Sequence, residues 1–323
     1  MVTRGIQSPH MKIVGIIGGA GFIGSFVART FLREHYKVRV SATDISKPEK
    51  YQHLRGLEHA EHLEIVPVNV LEKPGLQSFV NGCDIVVHCG TPFQLTLEDA
   101  QRDMFDPTVK GTEQFLEVAG KAAGLKRVVF IGSVAAHNTN FPMSVPGRAP
   151  GHVYTEAETP FHSSESIPYA QAKYFADQAV RRYLESHPHP AFEIVTVSPT
   201  LVAGPALSSR QDSTSQGFQF LAKNKMAPDD FFTMLWETDM EWALVDVLDV
   251  AEAVFKAATV PGVHGKTYLL SGDSWKMSDI NRLLNNESPV GAPRVTYSNA
   301  AATRDLGVTF KSGRVPLGRF GIS

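Results

Sequence analysis

Short apolar runs alternate with helical patterns along the N-terminal part of the chain. The apolar runs predict strands at 12–17, 37–42, 64–68, 84–89, 127–132 and 192–198. Between them, apolar residues recur every three to four positions, as in Ile23, Phe26 and Val27, which predicts helices. One helix is expected to begin with Asp106 as its N-cap and Pro107 in its first position. Strands that alternate with helices predict an α/β fold with a doubly wound parallel sheet.

The C-terminal part follows another pattern. Residues 203–240 are rich in Ser, Gln, Gly and Asp, after which 242–248 predict a strand and an Ala-rich helix runs to 258. We expect a sheet domain over 11–198, to which 242–258 return, and a smaller, interleaved C-terminal lobe over 199–323. Connections held by a rigid scaffold carry binding residues, so this lobe is expected to bind the substrate.

Composition and charge narrow the classes of partner. The chain has 323 residues, 20% of them charged, and a formal net charge of −2, so nothing indicates a nucleic-acid or anionic membrane partner. Residues 1–10 lack the apolar core of a signal peptide, and a cytoplasmic location is expected. Cys83 and Cys89 are interpreted as buried free thiols. The histidines show no His-Glu-x-x-His spacing, and no metal site is expected.

A glycine-rich turn joins the first predicted strand to the first predicted helix. It spans Gly18 to Gly24, with a further glycine at Gly21. Glycines in such a turn allow a sharp bend, close approach to a pyrophosphate and tight packing of helix on strand. The helix start, at Phe22 and Ile23, then offers free N–H groups to phosphate. This placement favours dinucleotide binding over a plain turn.

A tyrosine and a lysine stand four residues apart at the start of an amphipathic helix, Tyr169 and Lys173. They share a helix face, where an ammonium can stabilise the phenolate and let the tyrosine exchange a proton with a carbonyl or hydroxyl oxygen. Ser133 directly follows the strand 127–132, at the sheet edge where ligands bind in α/β folds. Taken alone, the tyrosine and the lysine could equally be a pair on a surface helix, and the serine could equally be a turn residue. Together with the glycine turn, their order favours a catalytic set of Ser133, Tyr169 and Lys173.

These residues resemble the extended short-chain dehydrogenase/reductase family, part of the NAD-dependent epimerase/dehydratase superfamily. The dihydroflavonol reductase and cinnamoyl-CoA reductase branch is the most similar. The likeness extends from Met11 to about Gly307 and implies a Rossmann-type fold. Besides the glycine turn and the catalytic positions, the matching segments are 88–92, 106–112, 198–205 and 245–251.

The resemblance implies a mechanism. Tyr169 would act as general acid in reduction or as general base in oxidation, and Ser133 would hold the substrate oxygen. Lys173 would bind the nicotinamide ribose and lower the pKa of the tyrosine. The implied cofactor is NAD or NADP, and the implied substrate is a small carbonyl compound or alcohol. The cofactor-binding residues implied besides Lys173 are Gly18, Gly21, Phe22, Ile23, Gly24, Asp44, Asn69, Val70, Gly90, Thr91, Pro92, Pro199, Thr200, Leu201 and Val202.

Several positions depart from the family pattern. Gly132 stands where a second serine is usual, and Asn69 where an aspartate often meets adenine. Thr43 replaces the arginine that the reductase branch often uses on the NADP phosphate, whereas Asp44 could accept hydrogen bonds from a free ribose, which favours NAD slightly. The loop after Ser133 faces the substrate in the resembling reductases, so Asn138 is predicted to bind substrate. The helices near 108–122 and 170–186 are expected to form a homodimer seam.

Three other functions remain open. A nucleotide-sugar epimerase or dehydratase would bind a nucleotide diphosphate in the C-terminal lobe, where 203–240 offer only Arg210, Lys223 and Lys225 as basic residues. A steroid-type 3β-hydroxy dehydrogenase would use the same scaffold. A catalytically silent NAD(P)-sensing regulator would typically lack the Tyr–Lys pair, which is intact here.

Overall fold

A parallel sheet of seven strands forms the centre of the protein. The computed structural model describes residues 11–89, 98–208 and 213–321. The strands of this sheet are β1 Ile13–Ile17, β2 Lys37–Ala42, β3 Leu63–Pro67, β4 Ile85–His88, β5 Arg127–Ile131, β6 Glu193–Pro199 and β9 Thr267–Leu270. They lie in the order β3-β2-β1-β4-β5-β6-β9, and every neighbouring pair is parallel. The predicted doubly wound, Rossmann-type fold is confirmed, and each predicted strand of this sheet is present.

A second, smaller sheet continues from the first. Its strands, in the order β10-β8-β7, are β7 Leu201–Ala203, β8 Glu241–Asp246 and β10 Ser274–Lys276. Only Thr200 separates β6 from β7, so one extended segment leaves the large sheet and enters the small one. This passage at Thr200 joins the two sheets beside the carboxyl end of β6.

Helices cover both faces of the large sheet. The helices are α1 Phe22–Arg33, α2 Gln52–Arg55, α3 Lys73–Val80, α4 Gly111–Ala119, α5 Pro168–Ser186, α6 Thr214–Lys223, α7 Asp230–Glu237, α8 Val247–Thr259, α9 Met277–Leu284, α10 Ala300–Leu306 and α11 Arg314–Gly318. On one face α1 and α8 share an apolar core that includes Phe31 and Val254. On the other, α3, α4 and α5 contribute Phe79, Phe115 and Val180 to a second core. Apolar strands buried on both sides follow from this double cover.

Segments from beyond residue 199 lie in both sheets. β8 lies in the small sheet, whereas α8, which follows it directly, packs on the large one. The last strand of the large sheet, β9, also comes from beyond residue 199. The division into 11–198 and 199–323 stays a prediction; of the returning segment 242–258, α8 packs on the large sheet as expected, whereas β8 does not belong to that sheet.

The helix before α4 begins earlier than the sequence predicted. Gln101–Lys110 form π-helical turns that run directly into α4. The expectation that Asp106 caps a helix start is therefore wrong, and Pro107 lies inside the helix. Proline has no N–H and crowds the preceding turn, which the wider π turn can accommodate. Asp106 instead accepts a hydrogen bond from Gln101 Nε2 at 2.5 Å.

Candidate active site

The glycine turn requires glycine for geometric reasons. Gly18 adopts the left-handed backbone conformation, with φ of 75°. A Cβ on Gly24 would lie 2.3 Å from the Gly18 carbonyl oxygen, so α1 starts in direct contact with the turn. Gly21 is the N-cap, and within the described chain no side chain caps the helix there. The N–H groups of Phe22 and Ile23, at the positive end of the helix dipole, are therefore available to a phosphate.

The end of β2 lies beside this turn. Ser41 Oγ accepts a hydrogen bond from the Gly18 N–H at 2.9 Å. Asp44 Oδ1 accepts bonds from the hydroxyl of Ser46 at 2.5 Å and from its backbone N–H at 3.0 Å, and these lower the pKa of the carboxyl group. Lys47 Nζ lies 3.6 Å from Asp44 Oδ2. The loop thus holds an ionised carboxylate and an ammonium side by side.

Asn69 and Val70 follow β3 by a few residues. The Asn69 side chain is engaged in its own turn: Oδ1 accepts from the Leu71 N–H at 3.0 Å, and Nδ2 donates to Glu72 at 2.9 Å. Val70 packs against Gly111, where an added Cβ would lie 3.1 Å from a Val70 methyl carbon. Their role in binding the cofactor stays a prediction.

Ser133, Tyr169 and Lys173 meet at the carboxyl end of β5. Ser133 follows that strand and accepts a hydrogen bond from the Ala135 N–H at 3.1 Å. Its side chain also hydrogen-bonds the side chain of Tyr169. Lys173, one turn further along α5, donates from Nζ to the Ile131 carbonyl oxygen at 3.3 Å. Residues that are up to forty positions apart along the chain are thereby brought to one strand end, as the sequence predicted.

A polar clamp holds the start of α5 against the loop after Ser133. Thr139 Oγ1 accepts hydrogen bonds from the Ser163 N–H and the Ser166 hydroxyl, both at 2.9 Å. Gln171 Nε2 donates to the Ser166 carbonyl oxygen at 2.6 Å. These contacts lie on the two segments that carry Ser133 and Tyr169, so they restrain both. Sequence reasoning missed the clamp because the sequence does not show which serines and threonines of the loops form hydrogen bonds with each other.

Burial tunes the ionisable groups of the site. Lys173 is 5% exposed, and desolvation lowers its pKa to about 8. Desolvation raises the pKa of Tyr169, and the hydrogen bond from Ser133 opposes that rise. With a pKa of about 8, Lys173 still carries its proton at neutral pH, so its ammonium group can stabilise a phenolate of Tyr169.

His88 is a buried neighbour that the sequence reasoning treated only as part of a matching segment. It ends β4, is 2% exposed and packs against the rings of Phe115 and Phe130, with centroid distances of 5.0 and 5.3 Å. Burial, followed by the charge of Lys173, lowers the pKa of its imidazole to about 3. His88 is therefore neutral, and it adds no second cation beside Lys173. In the sequence, the available indication of this buried histidine was a polar residue at the end of an apolar strand.

The remaining predicted positions differ in what the structure describes. Gly90, Thr91 and Pro92 lie outside the described residues. The segment from Pro199 to Val202 is buried, and Thr200 donates from both its N–H and its hydroxyl to the Leu270 carbonyl oxygen, at 3.0 and 3.3 Å. It is the passage between the two sheets, at the edge where Ser133 lies.

Asn138 is 1% exposed and engaged by its own loop. Its Nδ2 donates to the Met143 carbonyl oxygen at 2.8 Å and to the Tyr297 hydroxyl at 3.3 Å, and its Oδ1 accepts from the Asn140 N–H at 3.0 Å. These bonds shape the loop that follows Ser133. A direct contact of Asn138 with substrate stays a prediction.

From the sequence alone, the aromatic residues between 226 and 242 could either line an apolar substrate pocket or pack the smaller lobe; they are Phe231, Phe232, Trp236 and Trp242. Trp242 is 7% exposed and packs on Phe218 and Phe231 in the core of the small lobe, with Phe141 also in contact. For Trp242 the structure shows core packing.

A dinucleotide fits this set of residues. At Gly24 the start of α1 packs directly on the turn, and the N-terminus of that helix, which no side chain of the described residues caps, can bind a pyrophosphate. Asp44 stands after β2, where a ribose would lie, and Lys173 stands at the end of β5. All of them lie at carboxyl ends of parallel strands, where open α/β sheets bind ligands.

Residues 14–271 match the NAD dependent epimerase/dehydratase family. Over 198 residues, 61% of this chain and 59% of the relative, the sequence is 32% identical to the cinnamoyl-CoA reductase CAD2 of Medicago truncatula. That alignment spans less than two thirds of the relative's length. Cinnamoyl-CoA reductase 1 of Petunia hybrida is 28% identical over 322 residues, which cover 94% of this chain and 90% of the relative.

A solved structure has the same fold. The yeast methylglyoxal/isovaleraldehyde reductase Gre2, complexed with NADPH, superposes with a TM-score of 0.74 at 22% identity, over 95% of this chain and 96% of that one. Among the residues that the structure describes here, no helix is both long and apolar enough to cross a membrane.

Proposed function

Because the chain belongs to the NAD-dependent epimerase/dehydratase family, we propose that it is an NAD(P)-dependent oxidoreductase of the short-chain type. It would interconvert a carbonyl compound and an alcohol. The observation that carries the proposal is the meeting of Ser133, Tyr169 and Lys173 at the end of β5, in the same sheet edge as the glycine turn.

The residues present can divide the chemistry among them. When bound, NAD(P)H supplies the hydride. Tyr169 holds the proton that passes to the substrate oxygen in reduction, and takes it back in oxidation. Ser133, which already bonds Tyr169, orients the same oxygen. Lys173 places a positive charge next to the developing phenolate and so stabilises it.

Small carbonyl compounds are the proposed substrates. The named relatives are cinnamoyl-CoA reductases, and the structural neighbour is a methylglyoxal/isovaleraldehyde reductase. The nucleotide-sugar alternative needs free basic residues in the small lobe. Of its candidates, Arg210 lies outside the described residues, and Lys223 has its Nζ 5.9 Å from the centre of the Phe320 ring.

For the cofactor we propose a slight preference for NAD. The ionised carboxylate of Asp44 would accept bonds from a free 2′-hydroxyl and repel a 2′-phosphate. Lys47, 3.6 Å from that carboxylate, is the residue that could reverse the preference. Steady-state kcat/KM with NADH and NADPH measures it, and a tenfold preference for NADPH would overturn it. In that case Lys47→Ala should weaken NADPH selectively.

The test is a screen of aldehydes, ketones and alcohols that follows nicotinamide absorbance. With an active substrate, Tyr169→Phe should lower kcat by roughly 10² or more while the Kd for the cofactor changes little, because a positioned proton donor contributes about 10²–10⁴. Tyr174→Phe, on the same helix and stacked on His162, is the matched control and should keep its activity. Near-normal turnover of Tyr169→Phe would refute the proposed role.

A further inference from the structure

A second buried polar pair lies behind the catalytic residues. His137, four residues after Ser133, and Ser198, near the end of β6, approach each other with Nε2 and Oγ 3.3 Å apart. They are 9% and 0% exposed. The pair connects the turn that Ser133 opens to the strand that leads into the Pro199–Val202 passage.

Gly132 makes room for this pair. β5 and β6 are neighbours, and the Gly132 N–H donates to the Val197 carbonyl oxygen at 2.8 Å. A Cβ on Gly132 would lie 2.9 Å from Ser198 Oγ. The hydroxyl of the adjacent strand thus occupies the space that a side chain preceding Ser133 would need.

Burial leaves the His137 imidazole neutral. Burial lowers its pKa, with the carboxylate of Asp177 opposing and the guanidinium of Arg181 reinforcing the shift. Asp177 is itself paired with Arg181, with Nε and Oδ2 2.6 Å apart on α5. A neutral ring can share one hydrogen bond with the Ser198 hydroxyl without placing a further charge behind Ser133.

We propose that His137 and Ser198 are positioning residues: their contact ties the turn after Ser133 to β6 and so holds the Ser133 hydroxyl toward Tyr169 and the substrate oxygen. The inference rests on the proposed oxidoreductase function. It differs from the roles of Ser133, Tyr169 and Lys173, because neither His137 nor Ser198 needs to contact the reacting atoms. Small displacements of a positioned group reduce turnover strongly, which gives the pair its effect on rate.

A hydroxyl exchange between the two strands tests the geometry. Gly132→Ser forces a side chain against Ser198 and should lower Tm by about 3 °C or more and kcat about tenfold. Ser198→Ala leaves His137 without its partner and should lower kcat about tenfold as well. In Gly132→Ser/Ser198→Ala the hydroxyl of residue 132 takes the vacated space, so we expect Tm and kcat to recover at least half of the loss. Gly75→Ser, where nothing lies within 4 Å of an added Cβ, is the control.

Substitution of the histidine separates positioning from mere packing. His137→Gln retains an amide that can bond Ser198, so it should keep several-fold more kcat than His137→Leu, with similar Tm and similar Kd for the cofactor. The exposed His187 provides the control His187→Gln.

Two results would overturn the proposal: a double variant no better than its single variants, or equal kcat in His137→Gln and His137→Leu. Failure of the oxidoreductase proposal is recognised separately, because the wild type would then turn over no carbonyl compound or alcohol with either nicotinamide. In that event the Tm values of the exchange series still show whether the buried pair exists.

Discussion

Lys173 shows at the scale of a single residue how surroundings decide chemistry. Its side chain leaves α5, is nearly enclosed, and ends at the Ile131 carbonyl oxygen. Water would stabilise the ammonium, and its removal lowers the pKa from 10.5 to about 8. The burial that encloses this ammonium group at the end of β5 therefore destabilises the folded protein at neutral pH.

Replacement of this lysine should stabilise the protein in a pH-dependent way. Below pH 8 folded and unfolded chains both carry the proton, and the folded state bears the full desolvation penalty; between about 8 and 10.5 the folded state releases the proton first and the penalty fades. We expect Lys173→Met to raise the free energy of unfolding at pH 7 by on the order of 3 kcal/mol, and the gain to shrink towards pH 10.5. Urea denaturation of the cofactor-free protein at several pH values measures this.

The exposed Lys121→Met provides the control for that experiment, since its side chain is 72% exposed. A Lys173→Met gain that stayed the same from pH 7 to 10.5 would contradict the assigned shift.

A methyl group added at Gly24 should disturb the glycine turn and so weaken its binding of the cofactor. Gly24→Ala places Cβ 2.3 Å from the Gly18 carbonyl oxygen, so either the turn or α1 must move. We expect a loss of about 1–3 kcal/mol in the free energy of unfolding, and at least about tenfold weaker NAD(P)H binding by calorimetry, because the N–H groups at the helix start lose their alignment. Gly75→Ala, in open space on α3, should change neither quantity by a comparable amount. Unchanged affinity in Gly24→Ala would place the pyrophosphate elsewhere.

At the scale of elements, the N-terminus of α8 ties the C-terminal part of the chain to the sheet. Asp246 is fully buried and caps α8 by accepting from the Leu248 N–H at 3.0 Å. Its other oxygen pairs with Arg319 at 2.5 Å, just after α11. Lys311 pairs with Asp249 in the first turn of the same helix. One helix start thus holds two charged residues of the last segment.

We expect Asp246→Ala to lower the free energy of unfolding by about 3–5 kcal/mol, because it removes a cap and leaves the Arg319 guanidinium without its buried partner. Asp229→Ala is the matched control: Asp229 caps α7 by accepting from the Phe232 N–H at 2.8 Å, but it is exposed. The loss of that cap should cost about 1 kcal/mol. Denaturant titration of both variants decides the point, and equal losses would mean that the ion pair contributes nothing.

At the scale of the whole molecule, the helical face formed by α4 and α5 contains a groove. A groove of about 380 Å³ lies between these helices and is lined by residues that include Leu116, Ala179 and Tyr183. On α5, Phe175 is 38% exposed. The resemblance to dimeric reductases predicts that a second copy of the chain covers this face.

Light scattering should therefore show a mass near twice 35.3 kDa at micromolar concentration. Phe175→Asp should shift the protein towards the single chain, because it places a charge in the proposed seam. Phe220→Asp on α6, which replaces a ring that is 46% exposed, should leave the mass unchanged. A single 35.3 kDa species for the unmodified protein would rule out the dimer at that concentration.

The sequence by itself determined the features that depend on neighbouring residues. Periodicity located the strands of the large sheet up to β6, because each strand is a local apolar run. The glycine turn and the i, i+4 pair of Tyr169 and Lys173 follow in the same way, from backbone geometry and helical spacing. Even the meeting of Ser133 with this pair could be predicted, because parallel strands carry their carboxyl ends to one edge.

Only the tertiary structure decided the features that depend on distant contacts. The sequence does not distinguish β9 from the short elements and turns around it, and it becomes a strand by pairing with β6. Two contacts join segments far apart along the chain: the clamp at Thr139 and the contact between His137 and Ser198. The neutral state of His88 depends in the same way on the distant groups that bury it. Proton affinity and hydrogen bonding in a protein interior depend on which groups exclude water from one another, and no local pattern of residues contains that information.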